Sequence, residues 1–350
     1  MANYASSVLV AGQAKVTAKY QEAEQRRKIP TVMELALKNQ SISIPDAQAL
    51  RVSPLRTVDV NFLTNIAAGS ATAKVAAHSG TYGDSSKINV VYVQHVETFS
   101  LPRKLAYNNI FQYQELFNNM YEMKWKNLRT RQDTSALAFL LANRCQLSAA
   151  TINAQIASAN PGVWNETTYA LEIDQTRKSR FLQMAKAAMS ARFLNGPYDV
   201  VADLQLAAEF EYLMQQGSGN YANTAFQFSE AGIAATQSAI DSTDYPLGCA
   251  FIMPQGTLAG LNWNEGLNRA GVNAGENSVG NLGTTPDPLG SGAIADISVY
   301  TARADTSSNT YGGSTQDIVD QWELALTIGY VTPPLSTASD SVITLIAQTS

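Results

Sequence analysis

The sequence predicts an α+β fold, and three observations predict it. A charged helical start gives way to two strand patterns joined by a glycine-containing stretch. One unusually long helical pattern follows. The second half then alternates short strands with helices and ends in strands. The chain has 350 residues, enough to bury a sizeable core in one large domain or two modest ones.

Residues 11–39 read as helical, because Ala, Gln, Lys and Glu are strong formers and Val16, Tyr20, Ala23 and Arg27 fall on one face. Pro30 interrupts, and Thr31 restarts the helix as an N-cap with Glu34 three residues on. A helix so charged, with so few large apolar residues, predicts an arm that docks elsewhere than on its own domain. Residues 40–56 read as extended, punctuated by Pro45 and Pro54. Val58, Val60 and Phe62 alternate with Thr57, Asp59 and Asn61 as a strand. Residues 66–87 are small and glycine-containing. A second strand over 88–99 is apolar on both faces, through Val90, Val91, Tyr92, Val93 and Val96. Together these predict a long hairpin. A two-stranded ribbon is marginal in water, and a strand apolar on both sides needs cover on both. A neighbouring copy is a natural source of one cover.

The strongest helix begins near Tyr107 and steps through Ile110, Tyr113, Phe117, Met120, Tyr121, Lys124 and Leu128 toward Cys145, with a bend expected near Asp133. About 35 residues would span about 50 Å, the length of a strut. Its aromatics could form a stacking platform for single strands, but helical spacing favours a core stripe. A further helix over 174–195 carries Phe181, Leu182, Ala185, Met189 and Phe193 on one face and ends at Asn195-Gly196-Pro197. Short units follow: a strand at 198–202, a helix at 204–216, a strand at 225–228, a helix at 232–240 and a buried strand at 248–253. Residues 264–316 are rich in small polar residues and read as loops with one strand at 297–302. Strands at 322–331 and 341–347 close the chain.

The net charge of −5 hides a split. Residues 1–198 carry 22 basic against 13 acidic residues, a net +9, whereas residues 199–350 carry 2 against 16, a net −14. Such asymmetry suits basic parts of one copy meeting acidic parts of another, since charge complementarity sets partner and register. The basic residues are dispersed and no nucleic-acid motif accompanies them. Two distant cysteines, Cys145 and Cys249, exclude a disulfide framework or a zinc site. No secretory signal is present, and no apolar run reaches the length of a membrane span.

Chemical motifs are sparse. His78 lies near Ser79, Asp84 and Ser85, but in one flexible stretch, where a triad lacks a rigid scaffold. Residues 217–222 spell G-x-G-x-x-A after a helix, whereas a dinucleotide fingerprint follows a strand. Glu209 with Glu211, and Asp317 with Asp320, read as solvated faces. These features predict no catalytic residues, no cofactor and no metal.

The order of arm, long hairpin, very long helix, α/β part and returning strands resembles the tailed-phage major capsid protein with the Hong Kong 97-type fold. The stretch His78-Ser79-Gly80-Thr81-Tyr82-Gly83-Asp84-Ser85 resembles the His-x-Gly-x-x-Gly-Asp-Ser tip of one branch of that family. Phe99, Asn108-Asn109-Ile110-Phe111 and Glu115 resemble the same branch. The resemblance implies an N-terminal arm over 1–55, an E-loop over 56–105 and a P-domain with spine helix over 106–196. It implies an axial A-domain over 197–315 and C-terminal strands over 316–350 that return to the P-domain.

In function, the resemblance implies a non-enzymatic shell subunit that self-assembles into hexamers and pentamers around double-stranded DNA. Its partners would be copies of itself, a portal, cement or decoration proteins, and DNA held without sequence reading; no membrane is implied. The protein would be found in the virion after assembly in the host cytoplasm. The E-loop tip, His78 to Ser85, and the arm residues Lys15, Lys19, Arg26, Arg27 and Lys28 would contact neighbouring subunits. One lineage cross-links an E-loop lysine to a neighbour; nothing marks Lys74 or Lys87 for that role. The alternatives are an encapsulin-like nanocompartment shell and, in a different class, a soluble α/β enzyme.

Overall fold

The computed structural model describes residues 2–24, 31–40, 58–63, 85–103, 109–157, 162–210, 231–235, 240, 244–264, 279–305, 316–333 and 340–350. Two helices come first, α1 (Ala2–Glu24) and α2 (Val32–Lys38), then strands β1 (Val58–Leu63), β2 (Ser85–Val90) and β3 (Tyr92–Pro102). Helices α3 (Ile110–Ala142) and α4 (Ala149–Ile156) follow, then β4 (Val163–Asn165) and β5 (Ala170–Asp174). A 3-10 turn (Gln175–Arg180) leads into α5 (Phe181–Ala191). The remaining strands are β6 (Tyr198–Ala202), β7 (Ala231–Ala235), β8 (Cys249–Pro254), β9 (Ala259–Trp263), β10 (Val279–Pro286), β11 (Ile294–Asp305), β12 (Gln316–Val331) and β13 (Thr344–Thr349). Two compact units result. One holds Met1–Arg56, Tyr92–Ala136 and Gly260–Gly329; the other holds Thr57–Val91, Leu137–Ala259 and Tyr330–Ser350.

In the first unit, α3 lies on a sheet ordered β10-β11-β12-β3, with β9 also paired to β12. The helical spacing of aromatics does what the sequence predicts. Tyr113, Phe117, Tyr121, Trp125 and Leu128 are all fully buried. Phe99 of β3 pairs in register with Trp322 of β12, their rings stack 6.1 Å apart, and Phe117 meets Trp322 edge-on at 4.8 Å. Such aromatic pairs add specificity to a large apolar burial. α3 runs uninterrupted through Asp133. That carboxylate instead accepts the backbone N–H of Val32 at 3.0 Å and of Met33 at 3.4 Å, so it caps α2 from a distance. Thr31 and Glu34 form the predicted capping box.

The arm corrects the sequence reading. α1 docks on α3 of its own chain, burying Ala5, Val8, Leu9 and Val16. Gly12 permits the close approach, since a Cβ there would sit 2.6 Å from Phe117 Cε1. The sequence reading missed this because it began the helix at residue 11 and so left out Ala5, Val8 and Leu9. Asp320 is a second correction. It is buried, bound by Arg103 Nε at 2.8 and 3.0 Å, by the Tyr113 hydroxyl at 3.0 Å and by the Thr301 hydroxyl at 2.9 Å. A buried carboxylate needs such partners, and none of them lies near it in sequence. The Gly- and Ser-rich stretch holds two strands, β10 and β11, where one short strand was expected. They complete the sheet with β12, which places them with the long helix and not with the 197–259 part.

The second unit holds a sheet ordered β4-β5-β13-β8-β6-β7. β13 runs parallel to β5 and antiparallel to β8. The two C-terminal strands therefore part company, β12 in one sheet and β13 in the other, because each completes a different apolar face. Ile152, Phe181, Ala185, Met189, Leu206 and Phe210 from the helices pack on Leu171, Val200, Ile252 and Ile346. Residues 231–235 form a strand, not the expected helix, paired in parallel with β6. The expected helix over 174–195 is a 3-10 turn followed by α5, which stops at Ala191. Phe193 takes φ 60 there. Leu194 N–H reaches the Met189 carbonyl and Phe193 N–H reaches that of Ser190, both at 3.0 Å, a Schellman ending with Phe where glycine is usual. Phe193 thus leaves the helix face and is 90% exposed.

Two substitutions test this account in opposite directions. Phe117→Ala is expected to cost about 3–5 kcal/mol by emptying the aromatic stripe. Phe193→Gly is expected to gain about 0.5–1 kcal/mol, since relief of the left-handed backbone outweighs the freer unfolded chain. Denaturant midpoints at constant slope measure both.

Candidate assembly surfaces

Strands β1 and β2 pair antiparallel from Val58 opposite Val90 to Leu63 opposite Ser85. They form a two-stranded sheet, and no third strand joins it among the described residues. Val60 and Val90 are buried within the chain, while Asp59, Lys87 and Asn89 on the other face are exposed. One face is covered and one is polar, so the expectation of apolar faces on both sides does not hold for the ribbon. The strand expected over 88–99 is divided between two sheets. Val91, 73% exposed, separates β2 from β3, and β3 leaves to pair with β12. Among the described residues no further strand pairs with either edge of the ribbon, and such rows of backbone N–H and C=O groups can template another strand.

The tip residues from His78 to Asp84, and Lys74, lie outside the described residues; Ser85 opens β2. Lys87 stands opposite Asn61. Of the arm residues, Lys15 is exposed on α1, and Arg26, Arg27 and Lys28 lie outside the described residues. Lys19 Nζ binds Glu122 of the same chain at 2.8 Å. Glu122 also accepts from Lys126 Nζ at 2.8 Å and from the Tyr20 hydroxyl. Burial works to raise the Glu122 pKa, but hydrogen bonds from Lys126, Lys19 and Tyr20 outweigh it and bring the carboxyl down to about 2. The site holds α1 on α3.

His95 Nε2 lies 2.8 Å from Ser135 Oγ, and that hydroxyl also reaches the Arg131 carbonyl at 3.1 Å. Burial, then Arg131, lower the pKa of His95, with Glu97 opposing. Burial acts to raise Glu97, and bonds from Lys124 and Arg131 hold it below the usual carboxylate range. Cys145 and Cys249 are buried thiols, not joined in a disulfide. Among the described residues no group of three His, Cys, Asp or Glu could hold a metal ion, and no helix is long and apolar enough to cross a membrane. The 217–222 stretch and Glu211 lie outside the described residues.

The Glu122 clamp has a pH signature. Its folded pKa sits below the unfolded value of 4.5. The stabilisation is therefore full above that value and disappears as pH falls from 4.5 toward about 2. Glu122→Gln is expected to cost about 1–2 kcal/mol at pH 7, because Lys19 and Lys126 are more than half exposed and screened. It should also flatten the acid limb. Hydrogen exchange in α1, measured against pH, checks both.

No protein-family profile matches the sequence, and no curated protein matches it. Similar chains occur among solved structures. A chain of "Cyanophage A-1(L) capsid asymmetric unit" shares 12% identity over 92% of this chain and 93% of that one, with a TM-score of 0.45. A chain of "Mycobacterium phage Adephagia" shares 11% identity over 93% and 92%, with a TM-score of 0.43. A chain of "Capsid structure of the Cyanophage P-SCSP1u" shares 9% identity over 85% of each, with a TM-score of 0.40. All three are phage chains, and two are described as capsid structures.

Proposed function

We propose that this chain is a major capsid protein of a tailed phage. It self-assembles into hexamers and pentamers that close an icosahedral head around double-stranded DNA. The observation that carries the reading is the β1–β2 ribbon, a two-stranded sheet whose edges meet no third strand among the described residues. A lone ribbon is marginal in water and its edges invite pairing. Sister chains can supply the missing strand or cover. The resemblance of the 78–85 tip and of the element order to the Hong Kong 97-type family supports the same reading. The arm contributes less than the sequence led us to expect, because α1 is already held by Glu122.

In this reading the shell is stable because each subunit makes many modest contacts at once. The partners are further copies of the chain, a portal, and cement or decoration proteins. Packaged DNA is met through dispersed basic groups without sequence reading. The protein works in the virion, and no step of its function is chemical.

Replacing residues 64–84 with a two-residue Asn-Gly turn tests it. Leu63 and Ser85 are the last register pair, so such a turn joins β1 to β2 directly. The variant is expected to stay soluble and folded but to form no closed shells, as seen by electron microscopy and by loss of the void-volume peak on size exclusion. Normal particles from this variant would show that the ribbon does not drive assembly.

A further inference from the structure

We infer that Asn195 is a site of spontaneous modification, at which the backbone nitrogen of Gly196 closes on the asparagine side chain and converts it to aspartate and isoaspartate. The inference is independent of the capsid reading. Asn195-Gly196 is the one Asn-Gly step in the sequence. Ring closure at an asparagine is slowed by the side chain of the residue that follows, and glycine has none to obstruct it.

The fold makes this step hard to avoid. A Cβ at position 196 would lie 2.6 Å from Cδ2 and from Cε2 of the Tyr198 ring. Tyr198 is buried at the start of β6. A bulkier residue that would protect Asn195 would therefore have to displace that ring.

The fold also leaves the step open. Asn195, Gly196 and Pro197 are all exposed. The chain is anchored on either side of the pair. The Tyr198 hydroxyl donates to the Leu194 carbonyl at 2.7 Å, and the Gln255 N–H donates to the Pro197 carbonyl at 2.8 Å. Between these anchors, neither the Asn195 amide nor the Gly196 N–H makes a hydrogen bond to any described residue. Other turn asparagines are held. The amide of Asn165 donates to Glu172 Oε1 and that of Asn143 to the Phe139 carbonyl, each at 2.8 Å. Such bonds restrain the leaving group, and Asn195 has none of them.

The chemistry needs only solvent. The Gly196 nitrogen gives up its proton and attacks Cγ of Asn195. The N–Cγ bond forms, the Cγ–Nδ2 bond breaks, and ammonia leaves with a proton in exchange. Water then opens the cyclic imide. Opening at Cγ gives aspartate, and opening at the main-chain carbonyl gives isoaspartate, in which the chain runs through Cβ and Cγ. Either product adds a negative charge, and nothing is oxidised or reduced. The isoaspartyl product also lengthens the chain by a methylene between the two anchored carbonyls.

The test ages the full, folded chain in mildly alkaline buffer made with heavy-oxygen water, beside the same chain in denaturant. Peptides are then mapped by mass spectrometry. The peptide holding residues 195 and 196 is expected to exchange its amide nitrogen for a heavy oxygen before any other asparagine peptide does. Its rate in the folded chain should fall within about tenfold of that in denaturant. An isoaspartyl methyltransferase should label the same peptide. Asn195→Gln, which must close a larger ring, is expected to slow conversion there by about tenfold and leave the rest of the map unchanged. Conversion in the denatured chain alone would show that the fold protects the site and would overturn the inference. So would another asparagine converting first in the folded chain. Neither result bears on the capsid reading, which particle formation decides.

Discussion

The first unit is organised by the burial of one aromatic stripe on a 33-residue helix. Tyr113, Phe117, Tyr121 and Trp125 bring four large side chains to one side of α3, and the sheet answers with Phe99 and Trp322. Area-based transfer makes each such ring worth a few kcal/mol. The geometry matters as much as the sum. Trp322 stacks on Phe99 and meets Phe117 edge-on, so sliding the helix by one turn would break both arrangements. Gln132 strengthens that register by donating to the carbonyls of Val93 and Leu326, on two different strands. The sheet is therefore read by the helix through both packing and hydrogen bonds.

The same helix presents a second, polar side. Asn118, Glu122, Arg129 and Asp133 recur at intervals of four, seven and four residues, and all but Arg129 are nearly completely buried. Glu122 holds α1, Asp133 caps α2, and Arg129 pairs with Glu34 of α2 while standing 3.6 Å from Asp287. Buried charges are costly unless paired. Here the pairing fixes where the two N-terminal helices dock, so the ion pairs specify position more than they add stability. Most of these partners come from segments separated by about a hundred residues or more, which gives the N-terminal segment its place.

What could be read from the sequence follows from the range of the interactions involved. The capping box at Thr31 and Glu34, the aromatic periodicity of α3 and the alternation of Trp322, Leu324, Leu326 and Ile328 are local patterns, and each appears as predicted. The failures are non-local. Asp320 looks solvated until Arg103 and Tyr113 arrive from more than two hundred residues away. β10 and β11 lack long apolar runs; β11 is paired on both sides, and its ladder and the buried Ala295, Ile297 and Val299 hold it. Residues 231–235 carry alanines that favour helix, and pairing with β6 overrides them. One overlooked signal was available: Gly12 interrupts a helical pattern, and such a glycine marks a close approach. Of the candidate contact residues, Lys15 and Lys19 fall among the described residues on α1, whereas the tip from His78 to Asp84 does not.

These assignments redistribute the work of assembly on the proposed reading. An arm that reaches a neighbour must leave its own body, yet α1 buries four apolar residues and a clamped carboxylate where it lies. Releasing it would forfeit those contacts before any new one formed. The ribbon has no such conflict, since Val60 and Val90 stay covered while its edges meet no third strand among the described residues. A subunit built this way can fold alone and still keep surfaces to share. Assembly then requires no part of the fold to come undone, and weak contacts suffice if they repeat.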